Sequence, residues 1–115
     1  MHSTPRFLQG VHTVEGAGLD KPSLLDPSMR YVVPDGVSAQ PVYLRAGNSS
    51  AELACVVLVR DGAPMRWFPV GAKDATHVAL RVVEDLDPGT VLEVHVSAPE
   101  GTTATVVVDL GLVEV

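Results

Sequence analysis

Aromatic residues make up only 4% of the 115 residues, so a core has to be built from Val, Leu and Ala rather than large rings, a composition that favours sheet over helix. Cysteine is nearly missing. Cys55 stands alone, which excludes an internal disulfide and fits a reducing compartment. Positive charge is short as well: 8 Lys and Arg against 14 Asp and Glu give a net charge of −6. With no summed positive field to collect phosphates and release counterions, nucleic acid is excluded as an expected partner. No apolar run approaches the roughly 20 residues of a membrane-spanning helix. The opening MHSTPRFLQG holds no hydrophobic block for secretion. The expectation is a cytoplasmic chain with no membrane partner.

Catalytic signatures are missing too. Cys55 lies in an apolar stretch that disfavours a thiolate, and no local base accompanies it. Ser49 and Ser50 lack a Gly-x-Ser-x-Gly elbow, and Gly16-Ala17-Gly18 lacks the third Gly, the strand and the helix of a dinucleotide fingerprint. The acidic pairs Glu84-Asp85 and Asp85-Asp87 flank an ordinary Pro88-Gly89 turn rather than the six to eight oxygens calcium takes. The reading therefore leans away from an enzyme and expects no cofactor.

What the chain does have is alternation. Leu92, Val94, Val96 and Ala98 alternate with Glu93, His95 and Ser97, and Val78, Leu80 and Val82 with His77, Ala79 and Arg81, the period of two that marks a strand with one apolar side. Strands are expected over Val37–Arg45, Ala51–Arg60, Met65–Val70, Thr76–Val83, Thr90–Ala98 and Thr103–Val115, separated by turns such as Asp61-Gly62 and Asp87-Pro88-Gly89. Pro41 places the first of them at a sheet edge, because proline cannot donate to a ladder. Asn48-Ser49-Ser50 matches a glycosylation acceptor pattern but reads as a turn. Residues 1–36, rich in Pro and Gly without sustained period, read as an N-terminal arm ahead of a domain spanning 37–115. Phe7, Leu8, Leu24 and Leu25 make that arm too apolar for a solvated tail, so it should dock on this domain or a neighbour.

Cys55 and Trp67 fall on consecutive strands at a separation similar to that of the buried Cys and Trp of immunoglobulin-like domains. Leu86-Asp87-Pro88-Gly89-Thr90 and the alternating strand after it resemble the corner and following strand of fibronectin type III domains. Leu92 stands where that family has a Tyr, and no second Cys faces Cys55, Val94 being the occupant expected there. The resemblance implies an all-β fold, a small immunoglobulin-like antiparallel β-sandwich with an extended N-terminal arm. It also implies that the first, second and fourth strands face the third, fifth and sixth. On that arrangement Cys55 and Trp67 point inward, while Val56 and Leu58 lie on one outer face and Phe68, Val70, Val91 and Val107 on the other.

These outward residues are the expected interface, and a mean hydropathy of +0.24 agrees with apolar surface meeting a partner. His77 and His95 are the candidate metal ligands. In the sandwich they lie in opposite sheets and cannot share an ion; a direct hairpin across Asp87-Pro88-Gly89 would set them side by side. The function expected is a non-catalytic interaction or assembly module, a small accessory or structural subunit that homo-oligomerises or docks on a larger complex, a particle or virion component included. The alternatives are a metal- or small-ligand-binding carrier and an enzyme whose site does not show in sequence.

Overall fold

The computed structural model describes residues 3–80 and 84–115. Nine strands run in chain order: β1 (Thr4–Glu15), β2 (Ser23–Leu24), β3 (Arg30–Val32), β4 (Ala39–Asn48), β5 (Ala54–Arg60), β6 (Ala63–Val70), β7 (Ala75–Ala79), β8 (Val91–Ser97) and β9 (Thr103–Glu114). They form two antiparallel sheets, one ordered β1-β9-β4-β7 and the other β2-β8-β5-β6, with β3 also on β8. The fold is an all-β sandwich. Its sheets alternate early and late strands, and β1 pairs with β9, the order of a double-sheet jelly roll.

That order corrects the expected division of strands. β5 was expected beside β4 and β7, but it pairs with β6 and β8, and β9 joins β4 instead. Nothing in the immunoglobulin-like order predicts this, because alternation identifies strands without identifying neighbours. The extended N-terminal segment docks on its own domain: β1 is registered along β9 from Thr4 opposite Glu114 to Glu15 opposite Thr103, and β2 and β3 are hydrogen-bonded into the second sheet. The segment hides its strand because apolar and polar residues fall on both sides, with Leu8, Gly10, His12 and Val14 turned inward and Phe7, Gln9, Val11 and Thr13 turned out.

The core lies between the sheets. Leu44, Val108, Leu110 and Leu112 come from the first sheet and Val56, Leu58, Leu92 and Val94 from the second, and Met29, Val33 and Leu86 close the ends. Two turns show the local chemistry at work. Asp61 and Gly62 both take positive φ, 48° and 82°, the type I′ geometry that suits a two-residue hairpin. Asp87 accepts from Thr90 N at 3.1 Å with Gly89 at φ 85°, a type II turn with Pro at its second position. That turn carries the chain across to the other sheet rather than back along the same one.

Pro41 sits in a strand that is interior overall. β4 lies between β9 and β7, but β7 pairs with it only from Tyr43 to Gly47, and the register shifts between Pro41 and Tyr43. Proline is tolerated because the second partner strand does not reach it among the described residues.

Across one end of the sandwich, Tyr31 donates to Glu114 Oε2 at 2.5 Å and Arg6 Nε lies 3.2 Å from the same oxygen. The Tyr31 hydroxyl, opposed by burial and assisted by Arg6, holds the Glu114 carboxyl below its ordinary range. Burial first, then the bond to Glu114, raises the Tyr31 phenol, so it remains a donor. A depressed carboxylate pKa contributes stability that is complete above the ordinary carboxylate range and lost as pH falls through the lowered value. Asp26, lowered by Ser28, acts in the same direction. Thermal melts between neutral and strongly acidic pH should show the midpoint falling below the carboxylate range, with a shallower fall in Glu114→Gln. An unchanged acid limb in that variant would remove Glu114 from the account.

Candidate binding face

The outer face of the first sheet is built in rows by its register. Val11, Val107, Gly47 and Ala75 lie side by side; Gln9, Asp109, Arg45 and His77 form the next row; Phe7, Gly111, Tyr43 and Ala79 the third. β9 places the middle column, since Ala104, Val106, Val108 and Leu110 face the core and leave Val107, Asp109 and Gly111 outside.

Asp109 organises the middle row. Its Oδ1 accepts from Gln9 Nε2 at 3.0 Å and from Tyr43 Oη at 2.9 Å, while Arg45 Nε lies 3.9 Å from Oδ2. Burial, then the bond to Asp109, raises the Tyr43 phenol, so it stays protonated and donating. His77 meets the Tyr43 ring edge-on, centroids 6.1 Å apart and planes at 86°. A methyl group on Gly111 would stand 1.9 Å from Tyr43 Cε2. Glycine in mid-strand is thus what lets the tyrosine ring lie down beside Asp109.

Two shallow troughs adjoin this row and share Gly47, Ala75 and Val107 as floor. One, of about 500 Å³, is bounded by Arg45, His77 and Asp109; the other, of about 550 Å³, by Ser49, Lys73, Asp74 and Thr105. The loops behind them are pinned by Asn48. Its Nδ2 donates to Glu52 O at 2.8 Å and to Val70 O at 3.2 Å, and its Oδ1 accepts from Ser50 N at 3.0 Å. The amide nitrogen of the Asn48-Ser49-Ser50 pattern is buried and engaged, in keeping with a turn.

Of the residues expected at an interface, Val107 is 49% exposed on this face, and Val91 is half-buried on the second sheet. Val56, Leu58, Phe68 and Val70 are instead core residues, all 8% exposed or less, and offer nothing to a partner. Their phase is the reverse of the one expected: Trp67, paired with Val57, is 47% exposed on the outer side, and Cys55, paired with Ser97, shares that side. β5 is apolar on both sides, so sequence could not fix which one faces in. Of the arm residues, Leu25 is buried in the core, Leu8 and Leu24 pack against it, and Phe7 is 54% exposed. His77 lies on the first sheet and His95 on the second, where it meets Glu93 at 2.9 Å, so the two are not brought together. Among the described residues no group of three or more His, Cys, Asp or Glu is placed to hold a metal ion. Gln9, Tyr43 and Asp109 were missed; Gly111, in phase with Val107 in an otherwise branched strand, was the available signal.

The sequence matches no family model, and no curated protein matches it. Solved structures do resemble the fold. One is the CBM36-1 domain of a multidomain xylanase from the hindgut metagenome of Trinervitermes trinervoides, with a TM-score of 0.60 at 13% identity over 95% of this chain and 96% of that one. Another is a protein of infectious bursal disease virus, Gx strain, with a TM-score of 0.50 at 13% identity over 97% of this chain and 32% of that one. At such identity the likeness is one of fold.

Proposed function

We propose that this chain is a non-catalytic interaction module, a small accessory or structural subunit that associates with further copies of itself through its first sheet. The observation that carries this reading is the grouping of exposed apolar side chains. Seven large hydrophobic residues are exposed among those described, and three of them, Phe7, Val11 and Val107, share the outer face of that sheet, with Val11 and Val107 in direct register. Trp67 and Val32, exposed on the second sheet, stand on opposite flanks of it. Exposed apolar side chains grouped on one sheet, here on either side of the polar Gln9 and Asp109 row, mark an association site. Fold neighbours that include the CBM36-1 domain and a protein of infectious bursal disease virus are compatible with a non-catalytic module.

Light scattering over a concentration series tests it. Wild type should show a mass above 12.1 kDa that rises with concentration, and Val11→Glu should shift it toward the monomer with an unchanged circular dichroism spectrum. A strict monomer at every concentration reached overturns the reading.

The first trough favours a second reading, a short neutral sugar chain held over the floor of Gly47, Ala75 and Val107. Its volume of about 500 Å³ lies within the range of small-ligand clefts, and Arg45, His77 and Asp109 offer donors and an acceptor along one wall. Calorimetry with neutral oligosaccharides, comparing wild type with Arg45→Ala, decides it: no heat with wild type removes this reading.

A further inference from the structure

Two sheets present four edges, and three of them are guarded. β6 carries Pro64 and Pro69 and a register shift opposite Leu58 and Val59. β2 and β3, at the other margin of that sheet, are only 2 and 3 residues long. β7 has 5 residues. β1 is different: 12 residues from Thr4 to Glu15, paired with β9 on one side and with no strand on the other among the described residues. Its sole proline, Pro5, stands at one end. Short edge strands, prolines, bulges and inward-pointing charges are how soluble proteins block strand addition; β1 has Pro5 and the inward Arg6 at its start and no proline or bulge from Phe7 to Thr13.

We infer that β1 is the self-pairing edge of this protein, joining a second copy of the chain antiparallel about a two-fold axis through Gln9. This rests on the assembly reading above and makes it specific. A two-fold interface must be complementary to itself, and side chains on one face of a sheet must stay on that face, which leaves only alternate registers. With the axis through Gln9, Phe7 falls opposite Val11 of the second copy and Val11 opposite its Phe7. These are the two most exposed large hydrophobics described, at 54% and 62%, and aromatic against β-branched is a favourable cross-strand pair.

Displacing the axis by one residue sets Phe7 against Gln9 and Val11 against Pro5, or Phe7 against Thr13 and Val11 against Gln9. Displacing it by two sets Phe7 against itself with Val11 beyond the strand's start, or Val11 against itself with Phe7 opposite Glu15. Only the Gln9 register covers both apolar side chains with each other. It also extends over nearly all of β1, Thr4 opposite Val14. On the inner side Leu8 falls opposite Gly10, over which His12 and Met29 already pack, and Arg6 falls opposite His12, each already beside a carboxylate, Glu114 at 3.2 Å and Asp26 at 3.6 Å. The result is one continuous eight-stranded sheet whose outer face doubles the apolar rows.

Cross-linking of the full chain tests the register. In a Cys55→Ala background, which removes the native thiol, Gln9→Cys places two thiols directly opposite, with Cβ atoms about 4.5–5.5 Å apart, near enough for a disulfide with slight adjustment. Mild oxidation should convert this variant almost completely to a covalent dimer, whereas Thr13→Cys, which faces Pro5, should not link to itself. Val11→Lys in the unlinked chain should weaken association at least tenfold by sedimentation equilibrium. If the chain is dimeric but Val107→Cys links and Gln9→Cys does not, the copies meet face to face: the edge inference falls and the assembly reading stands. If the chain sediments as a 12.1 kDa monomer throughout and no variant links, both fall.

Discussion

Gly16→Ala is expected to cost about 3 kcal/mol, the upper end of the range for overpacking a tight site, and to lower the unfolding midpoint by more than ~10 °C. The reason is contact with backbone rather than conformation. A Cβ on Gly16 would lie 2.1 Å from Pro99 O and 2.8 Å from Ala98 O, and Gly16 N donates to Thr102 O at 2.7 Å, which holds the chain at that distance. No side-chain rotation relieves such a clash. One of two closures must open: the end of β1 must leave the turn between β8 and β9, or that turn must move. Urea unfolding with the slope monitored is the measurement. A loss under about 1 kcal/mol would mean the two segments are not held together as described.

Asn48→Ala should be comparably severe, about 3 kcal/mol, because it strips partners from several buried backbone groups at once. The side chain is 4% exposed and ties three segments: its own loop through Ser50 and Glu52, the end of β6 through Val70 and Gly71, and the end of β4, from which it projects. Asn48→Asp separates hydrogen bonding from packing. It keeps the acceptor that serves Ser50 but directs a charged oxygen at three carbonyls, so it should be worse than the alanine variant. If Asn48→Asp proves as stable as wild type, the donor bonds to Glu52, Val70 and Gly71 contribute little.

Gly16 follows β1 and Asn48 ends β4, where alternation carries no signal, and that marks the limit of what the sequence showed. Strand signals located β4, β5, β6, β8 and β9 within a few residues, by a period of two where a strand is half-buried and by an unbroken apolar run in β5. β7 was also located, although the expected continuation through Val83 falls on residues 81–83, outside the described ones. Neighbours were not legible: β5 and β9 have the strand signature wherever they sit, and pairing depends on contacts between residues far apart in the chain. Phase was legible only where one side is polar. In β9, Asp109 marks the outer side and Val107 was read correctly. In β5 every residue between Ala54 and Val59 is apolar, and Val57 and Val59 are 3% exposed or less even on the outer side, so the choice between Val56 and Val57 had no basis. β1 was hidden because its apolar residues fall on both sides, Leu8 and Val14 in and Phe7 and Val11 out. The proposed binding face inherits both difficulties, since its polar centre, Gln9 with Tyr43 and Asp109, is assembled from three strands that sequence could not bring together.

The pairing of β1 with β9 also sets a timetable. Gln9 and Asp109, bonded side by side, are 100 residues apart in sequence, and β9 lies between β1 and β4, so the first sheet cannot close until the last strand of the described chain has been made. Until then β1 has two bare edges instead of one, and Leu8 and Val14 lack the core they pack against. High contact order of this kind slows folding and lengthens exposure. During synthesis β1 is therefore made well before its partner β9, and each copy has to bring the two together across 100 residues of sequence before its first sheet is complete.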